Sequence, residues 1–159
     1  MQKYATEDDL ALLQDEKCLN DNIINGAQLL MHGTSTDSGL CDTVLVSAKC
    51  TQLTNGEKFV QIVHDKDKEH WFVATNRGCA LGTVRIYCSL HLRPSDACLE
   101  SVLHFINVQS STVAMEVMNV AKQVGNTDCG LFAIAFAYML VTAVDPTSVV
   151  FDGQLCVTT

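Results

Sequence analysis

An apolar run from Leu131 to Val144 contains no charged side chain and ends at Asp145-Pro146. Alanine, leucine, phenylalanine and methionine dominate it, and a segment that is apolar on every side predicts a helix buried at the centre of a domain. The run is shorter than the ~18 apolar residues that indicate a transmembrane helix, so we expect no membrane interaction. Thr127 or Asp128 stands where a helix N-cap is expected. The rest of the chain must therefore provide a surface that covers this helix.

Cys129 lies in the first turn of the predicted helix. The unpaired N–H groups and positive dipole end found there stabilise an anion by up to ~2 kcal/mol, or about 1.5 units of thiol pKa. We therefore expect a lowered pKa for Cys129 and a reactive thiolate. A buried structural cysteine at a helix start is the competing interpretation.

The composition is that of one globular domain spanning residues 1–159, with 48% hydrophobic and 18% charged residues. A net charge of −8 argues against a nucleic acid as the main partner, because phosphate binding needs clustered basic residues. The eight cysteines include no CxxC pair, and the opening MQKYATEDDL is acidic and polar. We expect no signal peptide, a reducing compartment (cytoplasm or nucleus), and thiols that mostly fill the core.

Periodicity and capping residues predict an α+β order of helix, helix, sheet, helix, strand and helix. Thr6 caps a helix through Leu13, and Asn20 or Asp21 caps a second. The second helix has one apolar stripe, made of Ile23, Ile24, Ala27, Leu30 and Met31. A loop over 32–42 follows, and Ser95 caps a later helix. Strands are predicted at Val44–Ala48, Phe59–His64, Trp71–Thr75, Val84–Tyr87 and Val113–Val120.

Four short motifs follow one another in the order Leu19-Asn20-Asp21-Asn22-Ile23-Ile24, His70-Trp71, Gln123 and Asp128-Cys129-Gly130-Leu131-Phe132. With these motifs the chain resembles the ubiquitin-like-protein proteases, the sentrin/SUMO-specific (Ulp-type) cysteine peptidases, over roughly residues 10 to 145. The resemblance implies a papain-like α+β fold, in which a mostly antiparallel sheet packs against a central helix that carries the nucleophile. We expect the C-terminal part of the domain to be short.

The resemblance also implies a role for each matching residue. Cys129 would be the nucleophile, His70 the general base, and Gln123 the oxyanion-hole donor beside the Cys129 N–H. Trp71 would cover a narrow channel that admits only the Gly-Gly tail of a ubiquitin-like modifier, and Gly130 would leave room for close approach. The implied activity is cleavage after that tail by a monomer with no metal and no cofactor.

The sequence departs from the family pattern at the triad acid. The family carries Tyr-Asp-Ser on the strand after the base, whereas this chain has Tyr87-Cys88-Ser89. A thiol is a weak hydrogen-bonding group with little charge at neutral pH, so Cys88 cannot stabilise an imidazolium as a carboxylate does. Candidate substitutes by sequence proximity are Asp65, Asp67 and Asp96, all expected to be solvated turn or cap residues.

A second departure lies at Cys18, where the family has a Trp that forms the other wall of the channel. Two functions are consistent with these departures: a SUMO-like isopeptidase with reduced activity, and a pseudoprotease that binds a modifier without cleaving it. A third interpretation is a zinc site built from Cys88-x-x-His91 with Cys98 and His104, although these spacings fit no standard zinc pattern.

Overall fold

The computed structural model describes residues 6–14, 17–109 and 113–150. Five α-helices are described, at Glu7–Gln14 (α1), Asp21–Met31 (α2), Thr43–Ser47 (α3), Asp96–Phe105 (α4) and Cys129–Val141 (α5). Five strands are described, at Ser38–Gly39 (β1), Phe59–Asp65 (β2), His70–Thr75 (β3), Thr83–Tyr87 (β4) and Ala114–Val117 (β5). Short 3-10 turns occur at His32–Thr34 and Pro146–Ser148. The expected shortness of the C-terminal part concerns residues 151–159, which lie outside the described residues.

The strands form one sheet in the order β1-β2-β3-β4-β5. The three central strands pair antiparallel, and the edge strands β1 and β5 pair parallel to their neighbours. The β2–β3 hairpin pairs Asp65 with His70 and His64 with Trp71. The predicted α+β class is confirmed, with a sheet that is antiparallel at its centre and mixed as a whole.

Both faces of the sheet are covered, which explains why β2 and β3 read as nearly continuous apolar runs. One face packs against α2 and α5, and contributes Val60, Ile62, Trp71, Val73 and Tyr87. The other faces α3 and α4, and contributes Phe59, Val63, Phe72, Ala74, Val84, Ile86 and Cys88. The two sets alternate along each strand, as the pleat requires.

Helix α5 is the buried helix predicted from the apolar run. Its core-facing residues include Phe132, Phe136 and Leu140, and the helix lies against β2, β3 and α2. Full burial of one such side chain contributes about 1.5–3 kcal/mol of favourable free energy to folding. No helix among the described residues is long and apolar enough to cross a membrane.

Helix α2 begins where it was predicted, because the Asn20 side chain accepts a hydrogen bond from the Ile23 N–H at 3.1 Å. The predicted apolar stripe is wrong at Leu30, which is 82% exposed. Gln28 is buried in its place, since its Oε1 accepts from the Ile62 N–H and its Nε2 donates to the Cys41 carbonyl. A buried amide with its hydrogen bonds satisfied can occupy a position that hydrophobicity assigns to an aliphatic residue.

The predicted strand at Val44–Ala48 is also wrong, because Thr43–Ser47 forms the short helix α3. Asp42 decides this, since its side chain accepts from the N–H groups of Val44 and Leu45 at 2.8 and 3.3 Å. Such a cap outweighs the strand preference of two β-branched residues. The predicted loop over 32–42 in turn contains β1.

Gly39 should be required by the pairing of β1 with β2. Its φ is +94°, and a Cβ built on it would lie 2.2 Å from the Val60 carbonyl oxygen. We expect Gly39→Ala to lower the free energy of unfolding by about 2 kcal/mol or more, from both strain and overlap. Urea denaturation measures the change. Gly33→Ala is the matched control, because nothing lies within 4 Å of its added methyl group; equal stability of the two variants would contradict this explanation.

Candidate active site

Cys129 is the first residue of α5, and its thiol is buried with 1% exposure. Asp128 occupies the N-cap position without a side-chain cap hydrogen bond. The backbone N–H of Trp71 and the first N–H groups of α5 point toward the sulfur and favour its thiolate. Cys129 therefore has donors for a negative charge on two sides, from the helix start and from the start of β3.

Burial nevertheless raises the pKa of the Cys129 thiol above its usual value, and the nearby Cys18 adds to this effect. The lowered pKa expected from the helix dipole alone is therefore wrong for this structure. A dipole contribution of at most ~2 kcal/mol is outweighed by the desolvation of a thiolate that lies inside the core. Cys129 is a neutral thiol at neutral pH.

Trp71 joins three of the sequence motifs. Its ring is 3% exposed, and its indole N–H donates to the Leu19 carbonyl at 3.0 Å. Leu19 packs in turn against Gly130, where an added Cβ would lie 2.9 Å from the Leu19 Cβ. Gly130 is thus required by packing, and Trp71 is a core residue whatever further part it has in binding. The exposed thiol of Cys18 lies on the same segment and contacts the Asn126 carbonyl at 3.8 Å.

His70 is the first residue of β3 and is buried. Its Nε2 lies 3.0 Å from the Sγ of Cys88, which follows the end of β4. By the alternation of the strands, both side chains lie on the α3/α4 face of the sheet, whereas Cys129 belongs to the α2/α5 face. The structure thus brings Cys88 into contact with His70. Among the hydrogen bonds of the described residues, none joins Cys129 to His70.

The surroundings of Cys88 resemble those of an anion more than those of a thiol. Its sulfur accepts from the Leu92 N–H at 3.3 Å, and the nearby N–H groups of Leu90 and His91 also favour the thiolate, while the His91 N–H donates to the Cys88 carbonyl at 2.9 Å. These donors favour the thiolate, but burial has the larger effect and raises the pKa of Cys88. His70 therefore has a neutral partner. A carboxylate can only accept, which fixes a proton on Nε2, whereas a thiol can also donate to Nε2 and so stabilise the other tautomer.

Burial lowers the pKa of His70 below its ordinary value of 6.5, and the neighbouring His64 lowers it further. Asp65 opposes both effects. A raised thiol pKa at Cys129 and a lowered imidazole pKa at His70 both disfavour a thiolate–imidazolium pair. The resting site is therefore neutral at both positions.

Gln123 is buried, and two hydrogen bonds orient its side-chain amide. Its Oε1 accepts from the Ser89 hydroxyl, and its Nε2 donates to the Gly125 carbonyl at 3.0 Å. The Gln123 backbone N–H also donates to the Ser89 carbonyl at 3.0 Å. Nε2 has a second hydrogen, which remains available as a donor. The sequence reasoning missed Ser89, although its place beside Cys88 is a signal that it could link the two loops.

Two residues of β2 complete the surroundings of His70. The ring of His64 lies 4.4 Å from that of Trp71, tilted by 30°. Asp65 is buried, and its carboxylate accepts from the N–H and the hydroxyl of Ser95, both at 2.7 Å. The expectation of a solvated Asp65 is thus wrong, because the N-terminus of α4 covers the end of the hairpin. Asp67 and Asp96 are exposed.

Three of the four side chains in the zinc interpretation have other partners, among them Cys88, which contacts His70. His91 Nε2 lies 2.7 Å from the Val120 carbonyl oxygen, and Cys98 Sγ lies 3.8 Å from the His64 carbonyl oxygen. Within the described part of the chain, no group of three or more potential metal ligands is present. The seven described cysteines are free, and three of them are buried: Cys88, Cys98 and Cys129. The expectation that most thiols fill the core is therefore wrong for the described cysteines, since fewer than half of them are buried.

No protein-family model and no curated protein sequence matches this chain. Solved structures do. The SUMO protease Ulp1 with its catalytic cysteine oxidised to a sulfonic acid is 16% identical, with a TM-score of 0.70 over 96% of this chain and 80% of that one. The yeast Ulp1 protease domain in complex with Smt3, the yeast ortholog of SUMO, is 15% identical, with a TM-score of 0.63 over 87% and 72%.

The Ulp1-like SUMO protease catalytic domain of Chaetomium thermophilum is 19% identical, with a TM-score of 0.53 over 84% of this chain and 65% of that one. These identities are low, so the likeness establishes the fold and leaves the activity to be argued from the site. This chain has the α+β fold of the Ulp1 protease domain.

Acidification should destabilise the protein through two imidazoles whose pKa is lowered by burial. Burial lowers the pKa of both His64 and His70 below 6.5. Below that pH the unfolded chain binds more protons than the folded chain, so the free energy of unfolding falls as the pH falls toward the folded-state pKa values. Urea titrations at pH ~7.5, ~6.5 and ~5.5 measure the slope.

His70→Gln should flatten this slope, because it removes one of the two groups. His32→Gln is the control, since His32 is exposed. Asp9, whose pKa is lowered to about 2, titrates well below this window. An undiminished slope in His70→Gln would show that burial of His70 does not govern the acid sensitivity.

Proposed function

We propose that this chain is a cysteine-type peptidase or isopeptidase that cleaves after the C-terminal Gly-Gly of a SUMO-like modifier, with reduced turnover. One observation carries the proposal. Cys129 begins the central helix against the backbone N–H of Trp71, and the adjacent His70 has its Nε2 in contact with Cys88 at 3.0 Å. The fold shared with Ulp1 SUMO proteases, one of them in complex with Smt3, supports the choice of modifier.

Cys129 and His70 are not hydrogen-bonded in this structure and lie toward opposite faces of the sheet, so the proposed reaction requires them to come within reach when the modifier tail binds. His70 then takes the proton of Cys129 as the sulfur attacks the carbonyl carbon of the terminal glycine. The developing oxyanion accepts hydrogen bonds from the Cys129 N–H and from the free hydrogen of Gln123 Nε2. His70 then protonates the leaving amine, and water hydrolyses the thioester. The bonds of Ser89 and Gly125 to the Gln123 amide support its role as a fixed donor.

The reduced rate follows from the charge that Cys88 does not supply. A carboxylate ~4 Å from an imidazolium stabilises it by about 4 kcal/mol at an effective dielectric constant of ~20. Loss of the third triad member in a serine protease lowers kcat by ~10⁴. A cysteine nucleophile depends less on that member, because its thiol is more acidic than a hydroxyl.

A modifier-binding protein without turnover is the second candidate. The raised pKa of Cys129 and the lowered pKa of His70 favour it, because together they leave little thiolate at neutral pH. A measurement of turnover separates the two functions.

Cys88→Asp should raise turnover of a SUMO C-terminal fluorophore conjugate by about 10- to 10⁴-fold, with the upper end taken from the serine-protease triad. The Leu92 N–H, which donates to the Cys88 sulfur, is placed to donate to a carboxylate at this position. Initial rates at several pH values measure the effect. The pH profile should also widen, because the carboxylate raises the pKa of His70.

Cys88→Ser is the matched control, since it changes size and polarity without adding charge, and Cys129→Ala is the inactive reference. Thermal melting establishes that each variant is folded. A folded Cys88→Asp variant that is no faster than Cys88→Ser would contradict the role assigned to position 88. Turnover that survives Cys129→Ala would contradict the proposed nucleophile.

A further inference from the structure

Asp65 stands directly opposite the base across the β2–β3 hairpin. Asp65 and His70 are register partners on antiparallel strands, and such partners project from the same face with Cβ atoms about 5 Å apart. That face also carries Cys88. The three side chains therefore lie together at one end of the sheet, under the N-terminus of α4.

The carboxylate of Asp65 is buried and held in place. It is 1% exposed, and each oxygen accepts one hydrogen bond from Ser95, from the N–H on one side and from the hydroxyl on the other. Ser95 is also the N-cap of α4, where the helix dipole favours a negative charge. The fold thus positions a carboxylate beside the base although the family position for that carboxylate is occupied by Cys88.

Other groups around His70 do not supply a negative charge. His64 on β2 is a second imidazole, and Cys88 after β4 is a neutral thiol. Lys68 in the hairpin turn is cationic, and its ammonium group donates to the Arg93 carbonyl. Among these groups, Asp65 is therefore the anionic neighbour of a positively charged His70.

We propose that Asp65 is a positioning residue that replaces part of the missing triad acid, by stabilising the His70 imidazolium through space from the neighbouring strand. Its part in catalysis rests on the proposed function. The replacement is partial, because the oxygens of Asp65 bond to Ser95 while Nε2 of His70 faces Cys88. Asp65 supplies a negative charge, whereas the contact between Cys88 and Nε2 determines which tautomer of His70 is favoured.

The His70 titration tests this inference directly. In the ¹³C or ¹⁵N NMR spectrum of the full chain, the His70 pKa should fall by about one unit in Asp65→Asn, which keeps an acceptor for Ser95. Asp65→Ser is a second uncharged variant, should Asp65→Asn fold poorly. Ser95→Ala is the matched control, because it removes one hydrogen bond and leaves the carboxylate; it should shift the His70 pKa by much less.

The rate of Cys129 alkylation by iodoacetamide at pH 6.5, followed by peptide mapping, gives a second measurement. Removal of the charge lowers the His70 pKa and so reduces the thiolate–imidazolium population, which predicts about tenfold slower alkylation in the uncharged variants. An unchanged His70 pKa in those variants, or a fall of the same size in Ser95→Ala, would overturn the inference. The SUMO conjugate assay is separate: absent turnover with an intact Asp65 effect would refute the proposed function alone.

Discussion

Helix α5 has no charged side chain, so most of its surface must be covered by the rest of the chain, and Tyr138 is its exposed residue. The sheet covers one side through β2 and β3, and α2 covers another. This requirement fixes the start of α5 against the start of β3, where the Trp71 N–H meets the sulfur of Cys129. It also makes Gly130 necessary, because Leu19 lies too close for a side chain there. The position of Cys129 is thus a consequence of core packing.

The same burial that positions the site also makes it electrostatically unfavourable. Cys129, Cys88 and His70 are all removed from water, and burial shifts each pKa toward the neutral form. A carboxylate at position 88 would offset this, because at ~4 Å from the His70 imidazolium it stabilises that charge by about 4 kcal/mol at an effective dielectric constant of ~20. Cys88 keeps the contact with His70 Nε2 and the Leu92 N–H donor, but it carries no negative charge. In the role proposed for Asp65, part of that charge comes from a different strand.

Much of this arrangement could be predicted from the sequence. The apolar run gave α5, the Asn20 and Ser95 caps gave the starts of α2 and α4, and the motif order gave the protease-like fold. Local patterns of this kind are set by residues close in sequence.

The remaining features depend on contacts between distant residues. Gln28 is buried because it bonds to β2, and Asp42 converts a β-branched segment into α3. The pKa of Cys129 depends on total burial, which the helix dipole alone cannot predict. The sequence predicts a solvated turn residue at Asp65, but Ser95, thirty positions away, donates hydrogen bonds to its carboxylate, which is buried. Register across a four-residue hairpin turn could have indicated that Asp65 opposes His70, but the cover provided by α4 could not have been read from that segment.

The most direct test of the central claim is covalent trapping with SUMO that carries a C-terminal electrophile, such as a propargylamide. We expect a single adduct at Cys129, identified by peptide mass spectrometry and lost in Cys129→Ala. The exposed Cys18 nearby provides a stringent control, and Cys18→Ala should still form the adduct. Attachment to Cys18, or the absence of any adduct on the folded chain, would contradict the claim that Cys129 is the nucleophile for a modifier tail.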